Sequence, residues 1–209
     1  MKPLSDSKTR LRAALPDDRR RLLSLAMLVH VLQTVSLAGR GQIFVLGGDD
    51  AVQQACGLVK CSFVVDSASD LNGCLAASFE AARVAGIGAA VFLPADLPLL
   101  SGEDVLALFY AGPGQLAVVA PDRHNAGTNG LAIHGTLPLA PSMGPGSFQR
   151  HLVQLALAGA AYEIRRTQGL GFDVDTPDDL DLLLRLVPDW WERAEGLARG
   201  IDWRGGEAR

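Results

Sequence analysis

The sequence predicts an α/β protein in which a mostly parallel sheet is covered by helices. Short apolar runs that end in Gly or Asp occur at residues 42–48, 61–66 and 89–96, and segments with helical spacing lie between them at about 51–57 and 70–86. Strands that alternate with helices are usually joined by crossover connections, which make neighbouring strands parallel. With 209 residues and 48% apolar composition, the chain can bury a sizeable core.

The remaining segments extend the same pattern. Apolar residues recur at helical spacing from Pro16 to about Gly39, and glycine commonly ends a helix. A last helix is predicted from Thr176, an N-cap residue followed by proline, to about Val187. Between these ends the pattern predicts helices at 102–112 and 146–160, and strands at 115–122, 128–135 and 161–167.

We expect one domain over residues 1–187, followed by a C-terminal tail over residues 188–209, because no repeat or linker interrupts the chain. The tail contains Trp190, Trp191 and Trp203 among polar residues. Three outcomes stay open for this tail: packing on the domain, binding a second subunit in a homodimer, or fraying.

The charge and cysteine content exclude several classes of function. The formal net charge is -4, whereas proteins that bind nucleic acids or anionic membranes usually carry surplus Lys and Arg. The three cysteines form no Cys-x-x-Cys pair, so neither a disulfide framework nor a zinc site is predicted. The amino terminus lacks the apolar region of a signal peptide, and no apolar run looks long enough to span a bilayer. We therefore expect a cytoplasmic protein without a nucleic-acid or membrane partner.

Three acidic residues are candidates for a metal site. Asp96 follows the apolar run 91–95, at the carboxyl end of a predicted strand, and Asp173 and Asp175 flank Val174. Side chains two apart in a strand point the same way, so these two carboxylates converge and need a cation or a proton between them. Carboxylates at the edge of an α/β sheet suit Mg²⁺, which also holds phosphates. The alternative is that each is a turn or cap residue.

The amino-terminal segment, residues 2–11, is a candidate for binding phosphates. Small polar residues ahead of a helix can present backbone N–H groups to a triphosphate, while Lys2, Lys8 and Arg10 offset its charge as pyrophosphate leaves. The segment lacks the Walker A pattern. A basic, solvated terminus is the alternative.

A second anion pocket is predicted from two polar loops. The hydroxyls of Thr128 and Ser147 and the backbone of Gly144 could donate to a small phosphorylated acid, since Ser147 lies near the start of a helix. Helix capping by Ser147 and an ordinary hairpin loop remain the alternatives. Asn72, near the start of the helix at 70–86, suits either a cap or a hydrogen bond to a base or ribose. Neither a G-x-S-x-G nor a G-x-G-x-x-G motif is present.

Five short motifs, taken in their order along the chain, make the sequence similar to a known protein family. The motifs, across most of residues 2 to 184, are KPLSDSKTRL, LPADLPLL, PDRHNAGTNGL, GPGSFQRHL and DVDTPDDL. In this order they closely resemble the guanylyltransferases of deazaflavin-coenzyme (F-420) biosynthesis, which act on 2-phospho-L-lactate, phosphoenolpyruvate or 3-phospho-D-glycerate. The resemblance implies a three-layer α/β/α Rossmann-like fold of the nucleotide-diphospho-sugar transferase type, with a mixed, mostly parallel sheet.

The resemblance also implies roles for named residues and two substrates, GTP and a small phospho-carboxylic acid. Lys8 and Arg10 would be catalytic, and Lys2 and Lys8 would lie near the GTP phosphates. Asn72 would lie near the nucleoside. The implied Mg²⁺ ligands are Asp96, Asp173 and Asp175, and the implied phospho-acid ligands are Thr128, Gly144 and Ser147.

Two features depart from that family. The family has an apolar strand before the lysine that matches Lys2, and this sequence begins at Met1 without one; an absent strand and a start assigned too late are the two explanations. Residues 124–126 replace a more glycine-rich loop. The alternatives to guanylyl transfer are a cytidylyl- or molybdopterin-type nucleotidyltransferase, and a non-catalytic subunit that binds a partner through Trp190 and Trp191.

Overall fold

A computed structural model describes residues 3–65 and 70–204 of the chain. The α-helices are α1 Asp17–Ala38, α2 Asp50–Val59, α3 Leu71–Val84, α4 Gly102–Phe109, α5 Ser147–Leu157, α6 Gln168–Gly171, α7 Pro177–Leu186 and α8 Trp190–Leu197. The strands are β1 Phe44–Leu46, β2 Ser62–Val64, β3 Ala89–Phe92, β4 Ala117–Pro121, β5 Thr128–His134 and β6 Tyr162–Ile164. Two 3₁₀ turns, Leu4–Asp6 and Thr9–Leu11, precede α1.

The chain forms two compact units. The first contains the described residues of Met1–Asp66, Ala95–Pro98 and Asp173–Arg209, and the second contains those of Ser67–Pro94 and Leu99–Phe172. The first unit is therefore built from three distant parts of the sequence. They contain the turns before α1, a short segment around Asp96, and the C-terminal helices α7 and α8.

Helix α1 is the core of the first unit. It buries every residue from Leu22 to Val29 rather than one stripe, as expected of a helix that is covered on all sides. By length and composition it could cross a membrane, alone among the helices of the described residues, which corrects the expectation that no run was long enough. Because 56% of that stretch is buried and α1 packs against α2 and α8, packing inside the unit accounts for its apolar composition.

The segment that follows α7 forms a helix that sequence analysis did not predict. Helix α8 follows α7 and packs against α1, and the Trp190 side chain is only 1% exposed. Trp191 lies closer to the surface, with the Arg19 guanidinium 5.2 Å from its ring centre. Of the three outcomes considered for this segment, packing on the protein is the one observed for its described residues.

Trp190→Ala is expected to lower the free energy of unfolding by about 3–5 kcal/mol, because truncating a buried aromatic side chain leaves a cavity. The matched control is Trp191→Ala, which removes a partly exposed ring and a cation–π contact and should cost about 1 kcal/mol. Urea denaturation of both variants measures the difference. Equal, small losses would show that α8 does not contribute to the folded core.

The second unit is built on a four-stranded sheet with the order β3-β5-β4-β6. Strand β5 is antiparallel to both β3 and β4, whereas β4 is parallel to β6. Residues 117–120 of β4 are fully buried. The register shifts between Ala120 and Pro121, and a proline cannot donate to the ladder, so the pairing ends in an irregularity. This ending places the loop 122–127 directly before Thr128.

The predicted α/β fold with a mixed sheet is confirmed, and the structure corrects three details. The sheet was predicted to be mostly parallel. Among the described strands, two pairings are parallel, β1 with β2 and β4 with β6, and two are antiparallel, β3 with β5 and β4 with β5. Strand β3 ends at Phe92, so Asp96 lies in the irregular segment beyond it rather than at the end of the strand. Residues 172–175 are not in a strand, but Val174 is buried while Asp173 and Asp175 are half-buried, as their alternation predicts.

Candidate active site

A lysine joins two carboxylates from distant parts of the first unit. The Lys8 Nζ atom donates to Asp96 Oδ2 at 2.6 Å and to Asp175 Oδ1 at 2.9 Å. Arg10 Nη1 lies 3.5 Å from Asp175 Oδ2. The Lys8 side chain is only 9% exposed, whereas that of Arg10 is 73% exposed and reaches solvent. We call these four residues the lysine–carboxylate cluster.

The charges in this cluster stabilise one another. Burial is the largest influence on Lys8 and acts to lower its pKa, but the charges of Asp96 and Asp175 and their hydrogen bonds outweigh it and raise the pKa above the usual 10.5. Burial likewise acts to raise the pKa of Asp175, yet Lys8 and then Arg10 outweigh it, and the pKa falls below 3.8. Near neutral pH, Lys8 is therefore an ammonium and Asp175 a carboxylate.

Buried contacts hold the segment that carries Lys8. The Arg20 side chain, 1% exposed, donates to the Ser7 carbonyl at 2.9 Å. The Ser7 hydroxyl lies 2.7 Å from the Ser24 hydroxyl, and the Leu4 amide donates to Asp49 Oδ2 at 2.7 Å. These contacts keep Lys8 in the left-handed region, at φ 49°, which a non-glycine residue rarely adopts without support.

The carboxylates of the cluster fit a divalent cation in part. Asp96 and Asp175 point oxygens at one position, now marked by the Lys8 nitrogen, and such oxygens are the ligands that Mg²⁺ prefers. Asp173 is half-buried two residues before Asp175. Across residues 3–65 and 70–204, no three Asp, Glu, His or Cys side chains gather into a group that could hold a metal ion. The structure thus brings together two of the three predicted ligands.

A polar loop in the second unit positions Thr128. The Asp122 carboxylate accepts hydrogen bonds from the amides of His124, Ala126 and Gly127, at 3.0, 2.9 and 2.7 Å. Thr128 then begins β5, and its hydroxyl lies 3.0 Å from Nδ1 of the fully buried His151. Asp122 therefore shapes the loop, and α5 meets the end of the loop through His151.

The neighbouring loop, residues 142–147, is held by two side chains. The Arg150 guanidinium donates to the carbonyls of Ser142 and Met143, at 3.0 and 3.2 Å, and also to that of Pro145. The Asn72 side-chain oxygen accepts from the Met143 amide at 2.6 Å. Asn72 is not the helix cap, because Asp70 fills that position for α3. We call Thr128, residues 142–147 and His151 the glycine-loop cluster.

Ser147 does not cap its helix. Gly146, at φ 74°, occupies the N-cap position of α5, and Ser147 is the first helical residue. Gly144 has φ 106°, a conformation that residues with a Cβ atom rarely adopt. Ser147 donates its amide to the Gly144 carbonyl at 3.0 Å. Capping therefore does not explain the serine, whereas both glycines are required by the path of the loop.

The structure groups most of the predicted site residues. Lys8, Arg10, Asp96 and Asp175 meet in the first unit, and Thr128, Gly144, Ser147 and Asn72 meet in the second. Lys2 lies outside the described residues. Sequence analysis assigned no functional role to Arg20, Arg150 or His151. Arg20 stands in a run of three arginines that resembles a solvated surface. Arg150 and His151 lie within the motif GPGSFQRHL, in which only Gly144 and Ser147 were given a role.

Comparison with solved structures defines the class of fold. A nucleotide-diphospho-sugar transferase candidate from Desulfovibrio desulfuricans G20 aligns with a TM-score of 0.74 and 18% identity, over 95% of this chain and 91% of that one. A CMP:2-keto-3-deoxy-manno-octonic acid synthetase complexed with CTP aligns with a TM-score of 0.53 and 16% identity, over 78% of this chain and 88% of that one. The chain therefore has the nucleotide-diphospho-sugar transferase fold.

Sequence comparison then defines the family. The family model described as "Guanylyl transferase CofC like" matches residues 1–186. A phosphoenolpyruvate guanylyltransferase of Sphaerobacter thermophilus is 34% identical over 88% of this chain and 90% of that relative. One of Rubrobacter xylanophilus is 37% identical over 86% and 88%, respectively. The chain belongs to the CofC-like guanylyl transferase family and is a nucleotidyltransferase, as the motifs predicted.

Proposed function

We propose that this enzyme transfers GMP from GTP to the phosphate of a small phospho-carboxylic acid, releases pyrophosphate, and serves coenzyme F-420 biosynthesis in the cytoplasm. Phosphoenolpyruvate is the favoured acceptor, because the relatives above carry its name. 2-Phospho-L-lactate and 3-phospho-D-glycerate are the other acceptors. The observation that carries the proposal is the meeting of Lys8 with two carboxylates in a chain whose motifs match this family.

In this reaction an oxygen of the acceptor phosphate forms a bond to the α-phosphorus of GTP, and the bond from that phosphorus to the pyrophosphate oxygen breaks. The attacking oxygen is already an anion, so no general base is required. The enzyme must chiefly offset the repulsion between two polyanions and align them. Lys8 and Arg10 are cations suited to the triphosphate, and Lys2 and Asn72 are proposed to contact GTP as well.

We propose that Asp96 and Asp175, with Asp173, hold Mg²⁺. Lys8 and Arg10 can each contact a triphosphate, but Asp96 and Asp175 balance their charges, so the cluster as a whole carries no net positive charge. A bound Mg²⁺ would supply that charge.

Excess EDTA should abolish activity and added Mg²⁺ should restore it.

The glycine-loop cluster is proposed to bind the acceptor. Its proposed donors are the hydroxyls of Thr128 and Ser147 and the backbone at Gly144. The backbone amides in the first turn of α5 could also donate to an anion. Ser147 fits this role because its hydroxyl does not cap α5.

The direct test is an assay of pyrophosphate release with GTP, Mg²⁺ and each of the three phospho-acids, with mass spectrometry of the product. We expect a diphosphoguanosine-linked acid, formed fastest from phosphoenolpyruvate. CTP and ATP serve as control nucleotides. No product from GTP with any of the three acids, or faster turnover with CTP, would contradict the proposal.

Gly144→Ala is expected to raise the KM for the acceptor about tenfold while leaving the KM for GTP unchanged. A Cβ atom at φ 106° costs about 1–3 kcal/mol, which the loop relieves by shifting its backbone donors. The control is Gly135→Ala, which also has a positive φ, 65°, with open space around it, but lies at the other end of β5. Steady-state kinetics with each substrate varied measures the effect, and equal KM values for the two variants would contradict it.

A further inference from the structure

The buried side chain of His151 connects the two parts of the glycine-loop cluster. The His151 Nδ1 atom lies 3.0 Å from the Thr128 hydroxyl, and its Nε2 atom lies 2.9 Å from the Ser142 amide nitrogen. His151 is 0% exposed and projects from α5. Both ring nitrogens are therefore engaged, one by a side chain and one by the backbone.

The contact with Ser142 decides which nitrogen carries the proton. A backbone amide can only donate, so Nε2 must accept and cannot bear a hydrogen. In a neutral imidazole the hydrogen then lies on Nδ1, which donates to the Thr128 oxygen. Burial, followed by the charge of Arg150, lowers the pKa of His151 to about 4, so the ring is neutral near pH 7.

The fixed tautomer determines what Thr128 can do. A hydroxyl has one hydrogen to donate, and its oxygen here accepts from His151. Within the described part of the chain, the Thr128 side chain makes its hydrogen bond with His151. The Thr128 hydrogen is thus left to donate to a bound anion. If the hydrogen were on Nε2 instead, Nδ1 would accept a hydrogen bond from the Thr128 hydroxyl. The Thr128 oxygen would then present only a lone pair to the ligand.

We propose that His151 is a positioning residue, which orients the Thr128 hydroxyl as a hydrogen-bond donor to the anionic acceptor substrate. The Ser142 amide sets the tautomer, and so the loop 142–147 controls the polarity of Thr128. This role rests on the proposed binding of a phospho-acid at Thr128. His151 does not itself touch the reacting atoms.

Two substitutions separate this role from a merely structural one. In His151→Asn the amide group can occupy the place of Nδ1, so it keeps a donor to Thr128 and loses the acceptor for Ser142. In His151→Gln the amide can reach the place of Nε2, so it keeps the acceptor and loses the donor. We expect His151→Gln to raise the KM for phosphoenolpyruvate by about 10- to 100-fold with the KM for GTP unchanged, and His151→Asn to keep it within about threefold.

The opposite ranking, with His151→Asn the weaker enzyme, would overturn the proposal and show that His151 serves to hold the loop. Equal effects would overturn it as well. Nitrogen-15 NMR of the histidines in the free wild-type protein is the second measurement and requires no variant to fold. A neutral ring protonated at Nδ1 supports the proposal, and one protonated at Nε2 overturns it.

The failure of the proposed function is distinguishable from these outcomes. If the wild-type enzyme transfers GMP to none of the three acids, the proposed reaction fails, and the tautomer measured by NMR still decides the direction of the Thr128 hydrogen bond. If the wild-type enzyme is active, the comparison of the two variants decides the role of His151.

Discussion

Lys8→Ala is expected to lower kcat/KM for GTP by about 10²- to 10³-fold, because it removes a pre-positioned cation from the site proposed to hold the triphosphate. The substitution also leaves Asp96 and Asp175 facing each other without the ammonium that now joins them. Since both carboxylates retain access to water, at 26% and 43% exposure, we expect a modest loss of stability, about 1–2 kcal/mol. Activity and urea denaturation measured on the same preparation separate the two effects.

Lys60→Ala is the matched control for this substitution. Lys60 also lies in the left-handed region, at φ 56°, where it ends α2, and it is exposed. Both variants therefore place alanine in a conformation that it disfavours. Only Lys8→Ala also removes the contacts with Asp96 and Asp175. If Lys8→Ala and Lys60→Ala retained the same activity, the lysine–carboxylate cluster would have no part in the reaction.

Asp175→Asn should cost about 10²- to 10³-fold in activity with GTP. The amide is nearly the same size as the carboxylate but is neutral. It weakens the contacts with Lys8 and Arg10 and removes one of the ligands proposed for Mg²⁺. We expect the Mg²⁺ concentration for half-maximal activity to rise in the same variant. Initial rates across a Mg²⁺ titration measure both quantities.

Asp178→Asn is the control for a general change of charge. Asp178 is an exposed acid in the first turn of α7, three residues beyond Asp175, where it contributes at most a small interaction with the helix dipole. It should keep near wild-type activity. A loss shared by both variants would point to a diffuse electrostatic effect, and full activity of Asp175→Asn would remove Asp175 from the proposed site.

Structural features that depend on neighbouring residues were predicted well from the sequence. Thr176 caps α7 with its side chain and Pro177 opens the helix, as the local sequence indicated. Asp179 adds a capping box. The bounds of α1 and α5 agree with their apolar spacing to within a few residues. Such features depend on interactions within one or two turns, so the residues that decide them stand side by side in the sequence.

The partners of the site residues could not be predicted in this way. The carboxylates at 173 and 175 required a cation, and the sequence favoured a metal ion; the structure places the Lys8 ammonium at Asp175, across 167 residues of sequence. The same holds for His151 and Thr128, which lie 23 residues apart, and for Arg20, which looks like one of several surface arginines. No local rule indicates which distant polar groups will be buried together.

By itself, the sequence determined the order of most helices and strands, the cap of α7, the motifs that define the family and the identity of the charged groups. Only the tertiary structure decided which cation joins Asp96 and Asp175, which polar groups meet the His151 ring and where α8 packs. The physical reason is that helix and turn formation is governed by contacts within a few residues. Burial and charge pairing, in contrast, depend on which distant segments the hydrophobic core brings together.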